Sequence, residues 1–449
     1  MATSSTPPRR VPELLAPAGG VDALRAAVNN GADAVYLGMR ELNARRGAEN
    51  FDAGSLADAC RYAHLRGARV YLTANVLVRD DELGAALALV AEAWAVGVDA
   101  VIVQDLGLLA EVRRALPELR VHASTQIGAH NTATVRALAA LGAARVTLAR
   151  ELTVAEVAVL AAHGVEVESF VHGALCFAYS GQCLLSSVVG GRSANRGLCA
   201  QPCRLPYALL DPSGATAAEA HLLSTRDLCG LEALPRLIAA GVAALKIEGR
   251  MKSPEYVALV TGVYRAALDR AAADPDAFEV LPAEEAVLAE AFSRGFSTAY
   301  LDGIRDDRMM SVKRPNNRGV PVGRIVSASG AEAVIAFDRA VESADTIEVW
   351  TGSGRFAQRL SEVAVGGVPA RSVPAGSRAT VRIEGRAGKG DRVVRVANAA
   401  LLDAARRTFA DGAPASLVPA DVAVTLRIGE PLRVALTARG VTGEASGPP

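Results

Sequence analysis

The chain has 449 residues, 51% of them hydrophobic, with 48 basic side chains against 48 acidic ones. Half-apolar composition with 21% charge excludes a disordered chain, and zero net charge argues against a globally basic nucleic-acid binder, leaving only local patches. No stretch reaches roughly 18 consecutive apolar residues, so no membrane span is expected. Residues 1–10, short, polar and read as disordered, lack the apolar core of a signal peptide and point to a cytoplasmic protein.

From residue 11 onward a helical stretch repeatedly ends at a glycine and a short β-branched run follows. The runs are ELLAP at 13–17, GADAVYLG at 31–38, GARVYLT at 67–73, GVDAVIV at 97–103, LRVHAS at 119–124, GAARVTL at 142–148, GVEVE at 164–168 and GVAALKI at 241–247. Glycine tolerates the left-handed conformation that ends a helix, and Ala-rich segments with helical periodicity lie between the runs. Eight such alternations predict a (β/α)8 TIM-like barrel over 11–300. Chemistry in such barrels sits where the strands end. The polar residues predicted there are Asn43, Arg45, Arg46, Asn75, Gln104, Asp105, His122, Gln126, Arg150, Glu151, His172, Glu248 and Arg250. Any one of them may be read as a cap of the next helix; their convergence on one mouth is harder to read that way. His172, Glu248 and Arg250 are the candidates for the chemistry, and Asn43, Arg45, Arg46, Asn75, His122, Gln126 and Arg150 for substrate binding.

The spacing breaks between the seventh and eighth strands, where a Cys-rich insertion over 172–240 is predicted to overhang the mouth. Helices are expected over 253–272 and 282–293. A small antiparallel β-barrel is expected over 315–397, from PVGRIV at 321–326, AVIAF at 333–337, TIEVW at 346–350, ATVRI at 379–383 and DRVVRV at 391–396. A helix at 399–409 and further strands make 398–449 look like the start of a truncated C-terminal domain.

The insertion carries Cys176, Cys183, Cys199 and Cys203. Four thiolates bind zinc or an iron–sulfur cluster. Neither pair has the two-residue spacing of a zinc knuckle, so the 4Fe–4S reading is preferred, with zinc as the alternative. Cys60 reads as core, and Cys229 as a substitute ligand. No H-E-x-x-H or G-x-S-x-G motif is present; a thiol protease pairing Cys176 with His172 stays open, although it leaves three cysteines without a role.

The stretch ESFVHGALCFAYSGQCLLS at 168–186 resembles the signature of peptidase family U32, the collagenase-like proteases. ELLAPAG at 13–19, NRGLCAQPCR at 195–204 and KIEGRMKS at 246–253 resemble further family blocks. RGFSTAY at 294–300 and NNRG at 316–319 are similar to the branch of ribosomal-RNA 5-hydroxycytidine synthases and tRNA hydroxylation proteins. The resemblance implies either peptide hydrolysis or oxygen-independent hydroxylation of an RNA pyrimidine or a ubiquinone precursor. On the hydroxylase side it implies a 4Fe–4S cluster on Cys176, Cys183, Cys199 and Cys203, with Cys229 as an alternative fourth ligand, and prephenate as co-substrate. A dianion of that kind needs fixed guanidinium forks, for which Arg45, Arg46, Arg150 and Arg250 are the candidates. Arg305, Arg308, Lys313, Arg314 and Arg318 form the patches expected to meet RNA phosphates.

Overall fold

The computed structural model describes residues 11–449 except 353, 413–418, 439 and 448–449, so the N-terminal segment 1–10 lies outside the described residues. The eight β-branched runs form parallel strands: β1 Glu13–Pro17, β2 Ala34–Leu37, β3 Arg69–Ala74, β4 Ala100–Val103, β5 Arg120–Ala123, β6 Arg145–Thr147, β7 Glu166–Ala174 and β8 Ala244–Ile247. β8 pairs with both β7 and β1, which closes the (β/α)8 barrel. Gly31, Gly67, Gly97, Gly142, Gly164 and Gly241, one before each of six strands, all have φ between +76° and +112°, where a side chain would be strained.

Successive strand side chains alternate between the helical shell and the barrel interior. The outward set packs with the helices into one large apolar core around Leu14, Val35, Val70, Val101, Val121, Val146 and Val167. The inward set is small and mixed: Leu15, Ala34, Tyr36, Tyr71, Ala100 and Ile102 form a separate cluster. Much of the rest of that interior is charged. Arg145 donates to Glu13 (2.7 Å) and Glu166 (2.9 Å), Lys246 donates to Glu168 (2.8 Å), and Thr147 donates to the same Glu168 oxygen (2.9 Å). Such interiors are usually filled by Val, Ile and Leu, so this column of ion pairs is a departure, and it leads up to the mouth.

β7 runs six residues past the predicted end at 168. In its pairing with β8, Lys246 stands opposite Phe170 but Ile247 stands opposite His172, a register shift of one residue. A bulge of this kind flips the faces of everything beyond it. The far end of β7 then pairs antiparallel with Asp227–Cys229, which in turn pairs with Phe296–Ser297. The excursion between β7 and Asp227 holds the helix Leu185–Gly190 and a hairpin of Tyr207–Leu210 with Thr216–Ala220.

After the helices Pro254–Ala273 and Pro282–Ala291 comes an eight-stranded antiparallel sheet between Val320 and Ala397 with its own apolar core. All five predicted strands are present, with Gly354–Arg359 added at one edge. Backbone pairing does not close this sheet among the described residues; instead the Gln358 amide donates to the Arg382 carbonyl (2.6 Å) and accepts from the Glu384 N–H (2.9 Å). The region expected as a small antiparallel barrel is thus an antiparallel β-sheet whose strand pairing stays open, with Gln358 bridging to the end of Arg378–Arg382. The helix Ala399–Phe409, expected with the C-terminal segment, belongs to the first compact unit, tied to α-helix Val21–Asn29 by Asn29 donating to the Thr408 carbonyl (2.8 Å). The second unit, residues 411–449, contains the antiparallel strands Asp421–Thr425, Arg433–Ala438 and Val441–Ser446. Among the described residues no helix is long and apolar enough to cross a membrane.

Candidate active site at the barrel mouth

The strand ends and the insertion enclose a cavity of about 450 Å³. Its floor is Tyr36, Thr73, Ile102 and Lys246; its walls carry Arg45, Asn75, Gln126, Arg150, Glu248 and Arg250; its roof is the insertion, with Cys176, Cys183, Cys199 and Cys203. Six of the ten non-cysteine residues singled out as catalytic or substrate-binding line it; Asn43, His122 and His172 face elsewhere, and Arg46 is exposed outside the lining.

Among the described residues Glu248 is the only carboxylate lining the cavity, 3.3 Å from both Arg45 and Arg150. Burial pushes its carboxyl up, and the Arg45 and Arg150 charges more than offset that, leaving it below the usual range. The Arg150 guanidinium also lies 4.1 Å from the centre of the Phe170 ring. Arg250 is 3% exposed and is held by neutral groups, donating to Thr73 Oγ1 (2.8 Å) and Asn50 Oδ1 (2.5 Å). Burial lowers it to about 10, and its Nε has no hydrogen-bond partner. A buried guanidinium facing a cavity without a carboxylate of its own is suited to an anionic ligand.

Asn75 and Gln126 bond each other (2.8 Å), and Asn75 also accepts from the Ala44 N–H (3.0 Å), so the pair ties the loop after β2 to the end of β5. Asn43 is fully buried and serves its own loop, donating to the Met39 carbonyl and accepting from the Arg45 N–H (2.7 Å). Asp105, whose carboxylate accepts from the Leu108 N–H, caps the helix Leu106–Ala115.

Neither histidine is where the strand ends suggested. His122 points into the barrel interior, its ring edge-on to Tyr71 at 4.8 Å and both nitrogens without partners; burial, then the Arg145 charge, holds it well below the usual imidazole range. His172 lies beyond the β7 bulge and faces the helical shell, packed among Tyr256, Tyr264 and Phe296. Burial pushes it down to about 3, so it is neutral. The bulge is the physical reason that the expected catalytic His172 is a packing residue.

The roof is fastened at two points. Glu151 accepts from the Ser180 N–H and hydroxyl (both 3.1 Å), and half-buried Arg204 donates to the carbonyls of Leu175 (3.0 Å) and Thr225 (2.6 Å). No cysteine is in a disulfide; burial raises the Cys203 thiol, with Cys176, Cys199 and Cys183 also raising it. Among the described residues, no three His, Cys, Asp or Glu side chains are grouped to hold a single metal ion. Cys60 is core, as expected, while Cys229 lies across the strand pair from His172, with Tyr264 Oη 4.0 Å away, and does not line the cavity.

At Gly181 (φ +78°) an added Cβ would fall 1.7 Å from the Gln126 carbonyl oxygen. Gly181→Ala must therefore lift the roof from the end of β5 and is expected to cost about 1–3 kcal/mol. Faster limited proteolysis within the insertion would register it; an unchanged cleavage rate would contradict this anchoring.

The arginine patches are largely spent internally. Arg308 pairs with Asp306 (2.8 Å), Arg314 with Glu348 (2.8 Å), Arg318 donates to Ser311 (3.1 Å), and Arg305 reaches Glu156 at 4.0 Å. Sequence reading missed Tyr36, Lys246, Glu168 and Phe170. The signal was available: Glu166, Glu168 and Phe170 share one face of β7, and Lys246, one of only four lysines, stands in a buried strand.

Residues 19–311 match the model of peptidase family U32. The chain is 38% identical over 349 residues to a 23S rRNA 5-hydroxycytidine synthase of Escherichia coli, covering 75% of this chain and 52% of that protein, so it spans about half of that relative's length. It is 37% identical over 300 residues to a tRNA hydroxylation protein of Bacillus subtilis (65% of this chain, 71% of the relative). It is also 34% identical over 312 residues to a collagenase of Porphyromonas gingivalis (65% and 74%). With a family model spanning the barrel, its roof and its last strand, the chain belongs to peptidase family U32.

Proposed function

We propose that the chain hydroxylates a pyrimidine base of RNA without O2, holding a 4Fe–4S cluster on Cys176, Cys183, Cys199 and Cys203 and using prephenate, the co-substrate implied by the family resemblance. The observation that carries this reading is the content of the cavity. Four thiols and three guanidiniums face it, and among the described residues no histidine lines it. A cysteine peptidase needs a base beside its thiol, and neutral His172 points away behind the bulge. Two relatives named for hydroxylation of ribosomal and transfer RNA support the substrate class.

The donor set suits a cluster. Four thiols line one cavity roof with no histidine among its described lining residues, and all-thiolate ligation is what a 4Fe–4S cluster takes. Bound there, the cluster supplies one-electron chemistry beside the anion site. Arg250, Arg45 and Arg150 grip the carboxylates of the co-substrate, which compete with Glu248 for the two wall arginines. Lys246, fixed on Glu168, presents its ammonium at the floor, and the roof keeps bulk water from the reacting atoms.

The deciding experiment is mass spectrometry of ribosomal and transfer RNA from a strain lacking the protein, beside a gelatin assay with anaerobic holoprotein. Loss of one hydroxylated pyrimidine is the expected result. Intact RNA with cysteine-dependent gelatin cleavage would replace this reading by the peptidase. A second check concerns the anion: Arg250→Ala should weaken prephenate binding at least tenfold by calorimetry, a charge-assisted contact being worth about 1.5–3 kcal/mol. Equal binding in the variant would remove Arg250 from the site.

A further inference from the structure

The roof exposes a concentration of large apolar side chains. Phe177 is 45% exposed and Tyr179 67%, yet both line the cavity. Beside them Leu184, Val188, Val189 and Leu198 are 43–82% exposed, and the helix Leu185–Gly190 buries only Ser186. Of these, Phe177, Tyr179 and Leu184 share the cavity lining, and exposed apolar groups gathered at an opening mark a contact site. Aromatics make up 4% of the chain, so two exposed rings at one opening are not a compositional accident.

We propose that Phe177 and Tyr179 are the shelf on which an unpaired base of a single-stranded RNA segment stacks as it enters the cavity. This rests on the RNA reading above and adds to it the residues that select an unstacked base. Three features favour a nucleotide over an extended peptide. The rings are flat, sequence-tolerant platforms, and stacking on such platforms is how single-stranded nucleic acid is held without base-edge recognition. The cavity, at about 450 Å³, is of the size that takes a small-molecule-sized group such as a single nucleoside. Arg46 and Arg192 stand exposed near cavity-lining Arg45 and Ala194, with no ion-pair partner among the described residues, unlike neighbouring Arg196, which forks Glu82 (2.6 and 2.7 Å). Two exposed guanidiniums, each within two residues of the cavity lining, are available to flanking phosphates.

The test uses anaerobic full-length holoprotein and a fluorescein-labelled, pyrimidine-rich RNA of about 12 nucleotides, a span typical of one single-strand site, read by anisotropy. Phe177→Ala and Tyr179→Ala should each weaken binding roughly 5- to 150-fold, with iron content and melting temperature unchanged because both side chains are exposed. Tyr179→Phe should bind within about twofold of wild type, since stacking needs the ring and not the hydroxyl. The same RNA annealed to its complement should bind at the level of the alanine variants. Alanine variants that bind like wild type would overturn the shelf even if RNA from the deletion strain lacks a hydroxylated base, so the RNA reading would survive alone. Wild-type protein that ignores the RNA but binds a labelled gelatin peptide through Tyr179 would overturn both.

Discussion

Cys176→Ser, Cys183→Ser, Cys199→Ser and Cys203→Ser will each take up far less iron than the wild type on anaerobic reconstitution, falling from about four irons per chain to below one. Each will also lose the hydroxylated base when it replaces the natural gene. Cys60→Ala will keep both properties, because Cys60 is buried in the helical shell away from the cavity. Cys229→Ala will also keep its iron, which separates it from the ligand set that the resemblance left open. The expectation follows from position. Four thiols reach the cavity roof from separate turns of the insertion, and Arg204 ties the Cys203 turn to the carbonyl just before Cys176. Removing one thiol leaves three donors, and among the described residues that line the cavity no histidine and no carboxylate but Glu248 is at hand to replace it. The outcome that sinks the idea is stoichiometric zinc with no iron in the wild type, or iron content untouched in two or more of the four variants.

The barrel was legible because two local signals coincide before six of its eight strands: a left-handed glycine ends the helix, and a β-branched run starts at once. The roof was legible as a cluster of cysteines in a crossover too long for a barrel. What sequence could not supply was direction. His172 sits two residues past Phe170, and simple alternation turns both inward; the bulge opposite Ile247 reverses the second. Asn43 and Arg46 flank Arg45 in one loop, but only Arg45 reaches the cavity, since Asn43 is consumed by its own backbone and Arg46 is exposed. The charged interior was missed for the opposite reason. Arg145, Glu168 and Lys246 lie inside strands rather than at their ends, where a search for strand-end chemistry does not look, although their alternation with valine and leucine places all three on the inward face.

Arg145→Met is expected to destabilise the barrel by about 3–5 kcal/mol, the usual result of removing one partner of a buried charge network. Arg145 is 1% exposed and faces Glu13 at 2.7 Å, Glu166 at 2.9 Å and Glu168 at 3.6 Å. Methionine fills much of the volume but leaves those carboxylates with less compensation: Glu13 keeps Arg69 at 3.0 Å, Glu166 keeps Arg120 at 3.0 Å, and Glu168 keeps Lys246. The sign of the pH dependence is fixed by Glu168. Burial pushes its carboxyl up, but Lys246 and Arg145 together hold it below the usual range. A depressed carboxyl contributes stability above its unfolded pKa and loses it as pH falls through its folded value. Without Arg145 the burial effect gains on the charge effect and the Glu168 pKa rises. The penalty is then full at neutral pH and shrinks as acid protonates the carboxyl. Urea titrations at about pH 7 and pH 5 should show the gap between wild type and variant narrowing in acid, with little sensitivity to salt because the charges are buried. A gap independent of pH would show that lost packing, not an orphaned carboxylate, is the cause. Adding Glu13→Gln to Arg145→Met should recover part of the loss, since it removes one of the charges that the methionine strands. The same network reaches function through Lys246: with Glu168 less firmly ionised, the ammonium at the cavity floor loses its fixed partner, so the variant should also bind a small dianion more weakly even at temperatures where it remains folded.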